Sequence, residues 1–206
     1  MKVIKAQSAG FCYGVRRTVE MAESAAKSGK PCVMLGPIIH NEHVTANLEK
    51  QGIACVERPE QVPDGTAVLI RSHGEGRQTY KILEEKGTVI IDATCPNVSK
   101  IHRIVADAEA RGRTAVIIGT PHHPEVIAIA GWCSHPVVLS DVKELTALLE
   151  ENPGFRERPV TLVSQTTLTR QVWQPCLEKV KKECTNTEIF DTICSATSKR
   201  QSETQA

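Results

Sequence analysis

Short β-branched runs alternate with amphipathic segments along nearly the whole chain, and this alternation constrains the fold more than any other feature. The runs fall near residues 3–6, 32–36, 67–71, 89–92, 115–119, 137–139, 160–164 and 188–190. Most are apolar and are bounded by Gly, Pro, Asp or Ser, as expected of buried parallel strands. Between them, Val15, Val19, Ala22 and Ala26 share one helical face. Val98, Ile101, Val105 and Ala108 share another, which closes at Arg111-Gly112. Asp141-Val142-Lys143-Glu144 has the pattern of a capping box ahead of Leu145 and Leu148. Alternation of this kind predicts an α/β fold, with parallel sheets covered by helices on both faces.

Three cysteines recur in matching contexts. They are Cys12 in Gly10-Phe11-Cys12-Tyr13-Gly14, Cys95 in Asp92-Ala93-Thr94-Cys95-Pro96, and Cys194 in Asp191-Thr192-Ile193-Cys194-Ser195. Each precedes a helical stretch, whose N-terminus favours a thiolate. Gaps of 83 and 99 residues suggest one cysteine per structural unit. On this reading residues 1–13 carry an N-terminal strand and the first cysteine, and pack with a third unit. Residues 14–95 and 96–190 form two α/β units, and residues 191–206 begin the third, incomplete one. The expected architecture is a pseudo-three-fold arrangement of small parallel-sheet units around a central cluster. Three thiolates form a soft metal site suited to zinc, copper(I) or an iron–sulfur cluster. Three ligands leave one metal position open for chemistry.

Composition excludes several other classes. A net charge of +1 gives no reason to expect nucleic acid or an anionic membrane as partner. Aromatic residues make up only 3%, too few for base-stacking platforms. No run approaches the roughly 18 apolar residues of a membrane span, and the first residues lack a signal-peptide pattern. A cytoplasmic chain is expected, in which the eight cysteines stay reduced.

Ligands of open parallel sheets bind outside the carboxyl ends of the strands. Those positions here hold Pro37-Ile38-Ile39-His40-Asn41, Ser72-His73-Gly74, Thr120-Pro121-His122-His123-Pro124-Glu125 and Gln165-Thr166-Thr167. With the cysteines they supply imidazoles, a carboxylate and hydroxyls on one side, a set suited to an anionic substrate beside a metal. Each has a plainer reading. Glu125 is an ordinary first-turn acid and Thr166 an ordinary N-cap. His43, His102 and His135 read as surface or helix-face residues, and His122 is ambiguous. Cys32 and Cys55 read as buried strand residues, Cys176 and Cys184 as part of a helical stripe, and Cys133 is uninformative. A metal-free enzyme with Cys12 or Cys95 as nucleophile and a histidine as base is a competing reading; it leaves the third cysteine unexplained.

Seven runs in order resemble the 4-hydroxy-3-methylbut-2-enyl diphosphate reductase family: Gly10-Phe11-Cys12-Tyr13-Gly14-Val15, Ile39-His40-Asn41, Ser72-His73-Gly74, Asp92-Ala93-Thr94-Cys95-Pro96, His123-Pro124-Glu125-Val126, Ser164-Gln165-Thr166-Thr167-Leu168 and Ile193-Cys194-Ser195-Ala196-Thr197. The resemblance implies three similar α/β domains around a central cavity. It implies one iron–sulfur cluster, of [4Fe-4S] type, held by Cys12, Cys95 and Cys194, with one iron free to take the substrate hydroxyl. His40, His73 and His123 are implied to contact the diphosphate. Glu125 is implied to supply protons, and Thr166 to orient both the substrate hydroxyl and Glu125. The implied partners are a small allylic diphosphate and a reduced ferredoxin or flavodoxin as electron donor, with isopentenyl and dimethylallyl diphosphate as products of the non-mevalonate route.

Family members continue for roughly another domain beyond Cys194, with a Ser-x-Asn motif and a later Ser that bind the diphosphate. The chain therefore reads as C-terminally truncated, and an inactive fragment is the alternative expectation. On that view the strand near 187–190 lacks neighbours, the helix after Ser195 frays and Cys194 is poorly positioned.

Overall fold

The protein was analysed as a computed structural model, which describes residues 6, 8–196, 199 and 203. Most of the strand expected at 3–6, and Thr197 of the last motif, lie outside the described residues.

Two four-stranded parallel sheets form, and they repeat one topology. The first contains β1 (Cys32–Leu35), β2 (Ala54–Val56), β3 (Ala67–Ile70) and β4 (Val89–Asp92), in spatial order β2-β1-β3-β4. The second contains β5 (Thr114–Ile118), β6 (Val137–Leu139), β7 (Val160–Ser164) and β8 (Thr187–Ile189), in order β6-β5-β7-β8. Every pairing is parallel, so each connection must cross over a sheet face. Helices α1 (Tyr13–Lys27), α2 (Glu42–Lys50), α3 (Arg77–Glu85), α4 (Pro96–Ala110), α5 (Pro124–Ala130), α6 (Val142–Glu151) and α7 (Arg170–Glu183) make those crossovers or lead into them.

The period-two alternation of strand side chains divides each sheet between two cores. Met34 and Leu69 pack with Ala22, Ala25 and Leu48 of α1 and α2. Val33, Leu35, Val68 and Ile70 pack with Leu83 of α3. In the second sheet Ala115, Ile117 and Val163 meet Ile101 and Val105 of α4 and Val126 and Ile129 of α5. Val116, Ile118 and Leu162 meet Leu145, Leu149, Trp173 and Cys176 on α6 and α7.

The strand near 187–190 does not lack a neighbour, contrary to the expectation for a truncated chain. β8 pairs in parallel with β7, Val160 opposite Thr187 and Leu162 opposite Ile189. Phe190 continues the ladder by donating its N–H to Leu162 O (2.9 Å). The Thr192 hydroxyl then accepts from Ser164 N (2.8 Å) and donates to Ser164 O (2.6 Å). Ser8 donates its backbone N–H to the Glu203 carboxylate (2.8 Å), joining the described ends of the chain.

The sheets meet at a glycine seam. The Trp132 indole donates to Glu75 O (2.9 Å), Arg77 N to Gly131 O (3.1 Å) and Arg77 Nη2 to Trp132 O (2.9 Å). Gly76 and Gly131 pack backbone to backbone, so that a Cβ on Gly131 would lie 2.7 Å from Gly76 Cα. Gly131 has φ −68°, so close approach rather than dihedral freedom requires glycine there. Gly131→Ala is therefore expected to cost about 1–3 kcal/mol as an overpacking substitution. Gly154→Ala, with nothing within 4 Å of the added methyl, is the near-neutral control. Urea unfolding of the two variants checks this.

Candidate functional site

The order of each sheet places a switch point between its two central strands, where consecutive connections leave in opposite directions and ligands bind. In the first sheet that point lies between β1 and β3, and their carboxyl ends lead to His40 and His73. In the second it lies between β5 and β7, which lead to His123-Pro124-Glu125 and to Thr166. The last strand of each sheet leads to a cysteine, β4 to Cys95 and β8 to Cys194.

The three histidines converge. Ring centroids are 4.5 Å apart for His40–His73, 5.7 Å for His73–His123 and 6.0 Å for His40–His123. His123 is also the N-cap of α5: its Nδ1 accepts from Glu125 N (3.1 Å). The neutral ring therefore carries its hydrogen on Nε2. Burial first, then the charges of His40, Arg71 and His123, hold His73 down to about 3. Burial, His40 and Arg71 likewise lower His123. Arg71 is itself clasped to Glu75 (2.8 Å) across the turn that presents His73. The centre of that turn, Gly74, has φ +73°, and a Cβ there would meet His102 Cε1 at 2.5 Å.

Glu125 is 2% exposed, and neither plainer reading of Glu125 or Thr166 describes the pair. The carboxylate does not cap α5; Oε1 accepts from Thr166 N (2.6 Å) and Oε2 from Thr166 Oγ1 (2.7 Å). Thr166 does not cap α7, whose N-cap is Thr169. Burial raises the Glu125 carboxyl above its ordinary range, against the lowering effect of both Thr166 donors. Thr166 O in turn accepts from Cys194 N (2.7 Å). This bond and one from Asn97 Nδ2 to Cys194 Sγ (3.5 Å) hold the third cysteine.

Cys12 and Cys95 are the N-caps of α1 and α4. The start of α1 docks on the segment before Cys95: Thr18 Oγ1 donates to Ala93 O (2.7 Å) and Arg17 to Thr94 O (3.2 Å). Cys95 Sγ lies over Gly14, where a Cβ would stand 2.5 Å away. That contact explains the glycine two residues after Cys12, which the sequence reading quoted but did not explain. Burial raises the Cys95 thiol, the N–H groups of Asn97 and Val98 lower it, and Cys12 and Cys194 raise it again.

A cavity of about 240 Å³ joins these groups; its walls include Cys12, His73, Cys95, Glu125, Thr166 and Cys194. A second, of about 360 Å³, opens on the three cysteines with Tyr13, Asn97 and Lys199. His40 and His123 touch the first cavity only through the His73 ring, and His40 itself lines a separate cavity of about 810 Å³ with Pro37, Asn41 and Glu42. A groove of about 710 Å³ along α1 and β4 is walled chiefly by apolar groups such as Met21, Val89 and Ile91, and it brings in none of the candidate residues.

Against relatives, the LytB protein family matches residues 3–206. The chain belongs to the LytB family. It is 40% identical over 206 residues to the 4-hydroxy-3-methylbut-2-enyl diphosphate reductase of Caldanaerobacter subterraneus subsp. tengcongensis, covering 98% of this chain and 69% of that protein. It is 36% identical over 203 residues to the enzyme of the same name from Clostridioides difficile, covering 98% and 71%. A solved structure of (E)-4-hydroxy-3-methyl-but-2-enyl diphosphate reductase, the terminal enzyme of the non-mevalonate pathway, superposes with a TM-score of 0.82 at 32% identity, covering 98% of this chain and 71% of that one. The corresponding Plasmodium falciparum structure gives 0.81 at 31%, covering 94% and 61%. The fold is thus the α/β fold of that family. Among the described residues no helix is long and apolar enough to cross a membrane.

Of the other histidines, His43, His122 and His135 are exposed. His102 is a helix-face residue, but it is 4% exposed, stacked on Trp132 with centroids 5.2 Å apart. Its partner ring lies 30 residues along the chain, so sequence spacing gave no sign of it. Burial lowers His102 to about 4. A depressed folded value means that the unfolded chain takes up the proton first. The His102 contribution to stability is complete above pH 6.5 and is lost as pH falls toward 4. The loss at pH 5 is about 2 kcal/mol relative to neutral pH. His102→Phe, which keeps a ring on Trp132, is expected to flatten the acid limb of stability between pH 7 and 5 by that amount in urea titrations.

Proposed function

We propose that this chain performs the reduction named for its relatives: the carbon–oxygen bond of the 4-hydroxyl of 4-hydroxy-3-methylbut-2-enyl diphosphate breaks, two electrons and two protons enter, and water leaves. The products are isopentenyl and dimethylallyl diphosphate. The observation carrying this reading is the convergence of three thiols, a buried acid, its threonine partner and an imidazole on one 240 Å³ cavity.

The donor set fits an iron–sulfur cluster. Among the described residues no three His, Cys, Asp or Glu side chains stand close enough to hold a single metal ion. A polynuclear cluster bridges thiols that lie further apart, and cysteine thiolates are its usual ligands. Cys12, Cys95 and Cys194 would hold it. When bound, such a cluster supplies one-electron chemistry beside the substrate, with a reduced ferredoxin or flavodoxin as the external donor in a cytoplasmic setting.

The protein's own groups have separable tasks. His40, His73 and His123 bind the diphosphate, and burial favours the neutral N–H-donating form of the His73 and His123 rings. Glu125, whose carboxyl burial shifts toward its protonated form, delivers a proton to the allyl carbon skeleton or the departing oxygen. Thr166 fixes both carboxylate oxygens and keeps its hydroxyl at the reacting end of the cavity. The reading with a cysteine nucleophile is weaker: it leaves the third cysteine unexplained, and burial raises the Cys95 thiol.

Anaerobic reconstitution followed by iron and sulfide analysis tests the cluster. Cys12→Ser, Cys95→Ser and Cys194→Ser should each abolish loading, while Cys32→Ser and Cys176→Ser should retain it. Full iron in Cys194→Ser would sink the assignment. Gly14→Ala should leave the fold intact but reduce iron content, since its methyl displaces the Cys95 sulfur. At matched iron content, Glu125→Gln should keep diphosphate binding and lose about 10²–10⁴-fold in turnover. Near-normal turnover would show that protons arrive elsewhere.

A further inference from the structure

Asn97 lies in the first turn of α4, after Pro96 and two residues beyond Cys95. Backbone N–H groups in the first turn have no intrahelical acceptor. Those of Asn97 and Val98 lie at the start of α4, where the Cys95 side chain makes no capping hydrogen bond. The Asn97 side chain donates Nδ2–H to Cys194 Sγ (3.5 Å), across 97 residues of sequence. One residue thus links the helix that follows Cys95 to the sulfur of Cys194. It lines both cavities that open on the cysteines. Packing does not demand an amide here, because the residue is exposed. Its polar contact is the thiol itself.

We propose that Asn97 is a positioning residue that ties Cys194 to the helix bearing Cys95 and raises the reduction potential of the cluster these thiols hold. The inference rests on the cluster reading above. An N–H group aimed at a ligating sulfur presents its positive end to the charge that arrives with each electron. The reduced state is stabilised more than the oxidised one, and hydrogen bonds to sulfur are among the levers that set such potentials. The same bond, with Cys194 N to Thr166 O, anchors the third cysteine from both sides. One anchor comes from the helix carrying Cys95 and the other from the partner of Glu125. A change at Asn97 is therefore felt at the sulfur without passing through Glu125 or the histidines.

Two variants isolate the side-chain bond. Asn97→Leu keeps the backbone of α4 and removes the donor to Cys194. Asn97→Asp puts a carboxylate against the same sulfur. Redox titration of the reconstituted proteins, followed by electron paramagnetic resonance, should give midpoint potentials that fall in the order wild type, Leu, Asp, at equal iron content. A merely structural role predicts lost iron with no ordered shift. Equal potentials in the wild type and Asn97→Leu overturn the proposal. In the metal-free protein, the Asn97 side-chain amide resonance should shift in Cys194→Ala and stay in place in Cys176→Ala. An amide indifferent to Cys194 also overturns it. If the wild type takes up no cluster, the functional reading and the potential fail together, while the amide resonance still decides whether the contact exists.

Discussion

All-parallel pairing in both sheets is the constraint on which the rest of the structure depends. A parallel pair cannot be closed by a hairpin, so every strand hands the chain to a crossover on a sheet face. The carboxyl ends of the strands are left free, and at a switch point two adjacent ends diverge and leave a crevice. Here the same order occurs twice, so two crevices arise, one supplying His40 and His73 and the other His123, Glu125 and Thr166. The glycine seam at Gly76 and Gly131 then brings one crevice against the other. Helix α5 is only seven residues long. Its first turn holds His123 and Glu125, and its end abuts the segment that follows His73. A short rigid rod thus sets the spacing between groups from the two sheets.

Burial has opposite consequences for the two kinds of titrating group, and both favour the uncharged form. It lowers His73 and His123 and raises Glu125. The site is accordingly a cluster of imidazoles biased toward the neutral form, with a carboxyl biased toward keeping its proton, beside the charge of Arg71. Such an arrangement suits a polyanion, whose charge offsets the cost of charging imidazoles.

Much of this was legible in the residues. Seven of the eight strands coincide with runs marked from composition alone, apart from shifts of a residue at their ends. The missing one, β2, is the three-residue Ala54–Val56, partly exposed at a sheet edge, with too few apolar positions for a periodic signal. Its Cys55 was read as a strand residue, yet no run was marked around it. The strand near 187–190 was marked, but its partner was not foreseen, because pairing to β7 is a backbone ladder between segments far apart along the chain that no local pattern marks. His102 looked like one helical histidine among several, and only the approach of Trp132 makes it a buried one.

The sequence by itself determined the periodicities, the class of fold and the chemical inventory at the strand ends, because those follow from backbone hydrogen bonding and from which side chains each face can bury. Tertiary structure alone decided which members of that inventory touch. That Glu125 takes both donors of Thr166, that three histidines lie within 6.0 Å of one another, and that Asn97 reaches Cys194 are facts about elements far apart along the chain. Their approach is fixed by close contacts at Gly14, Gly74, Gly76 and Gly131, where an absent side chain lets backbone, sulfur or ring come near. A glycine in a sequence shows where a close approach is possible, and only packing shows what approaches.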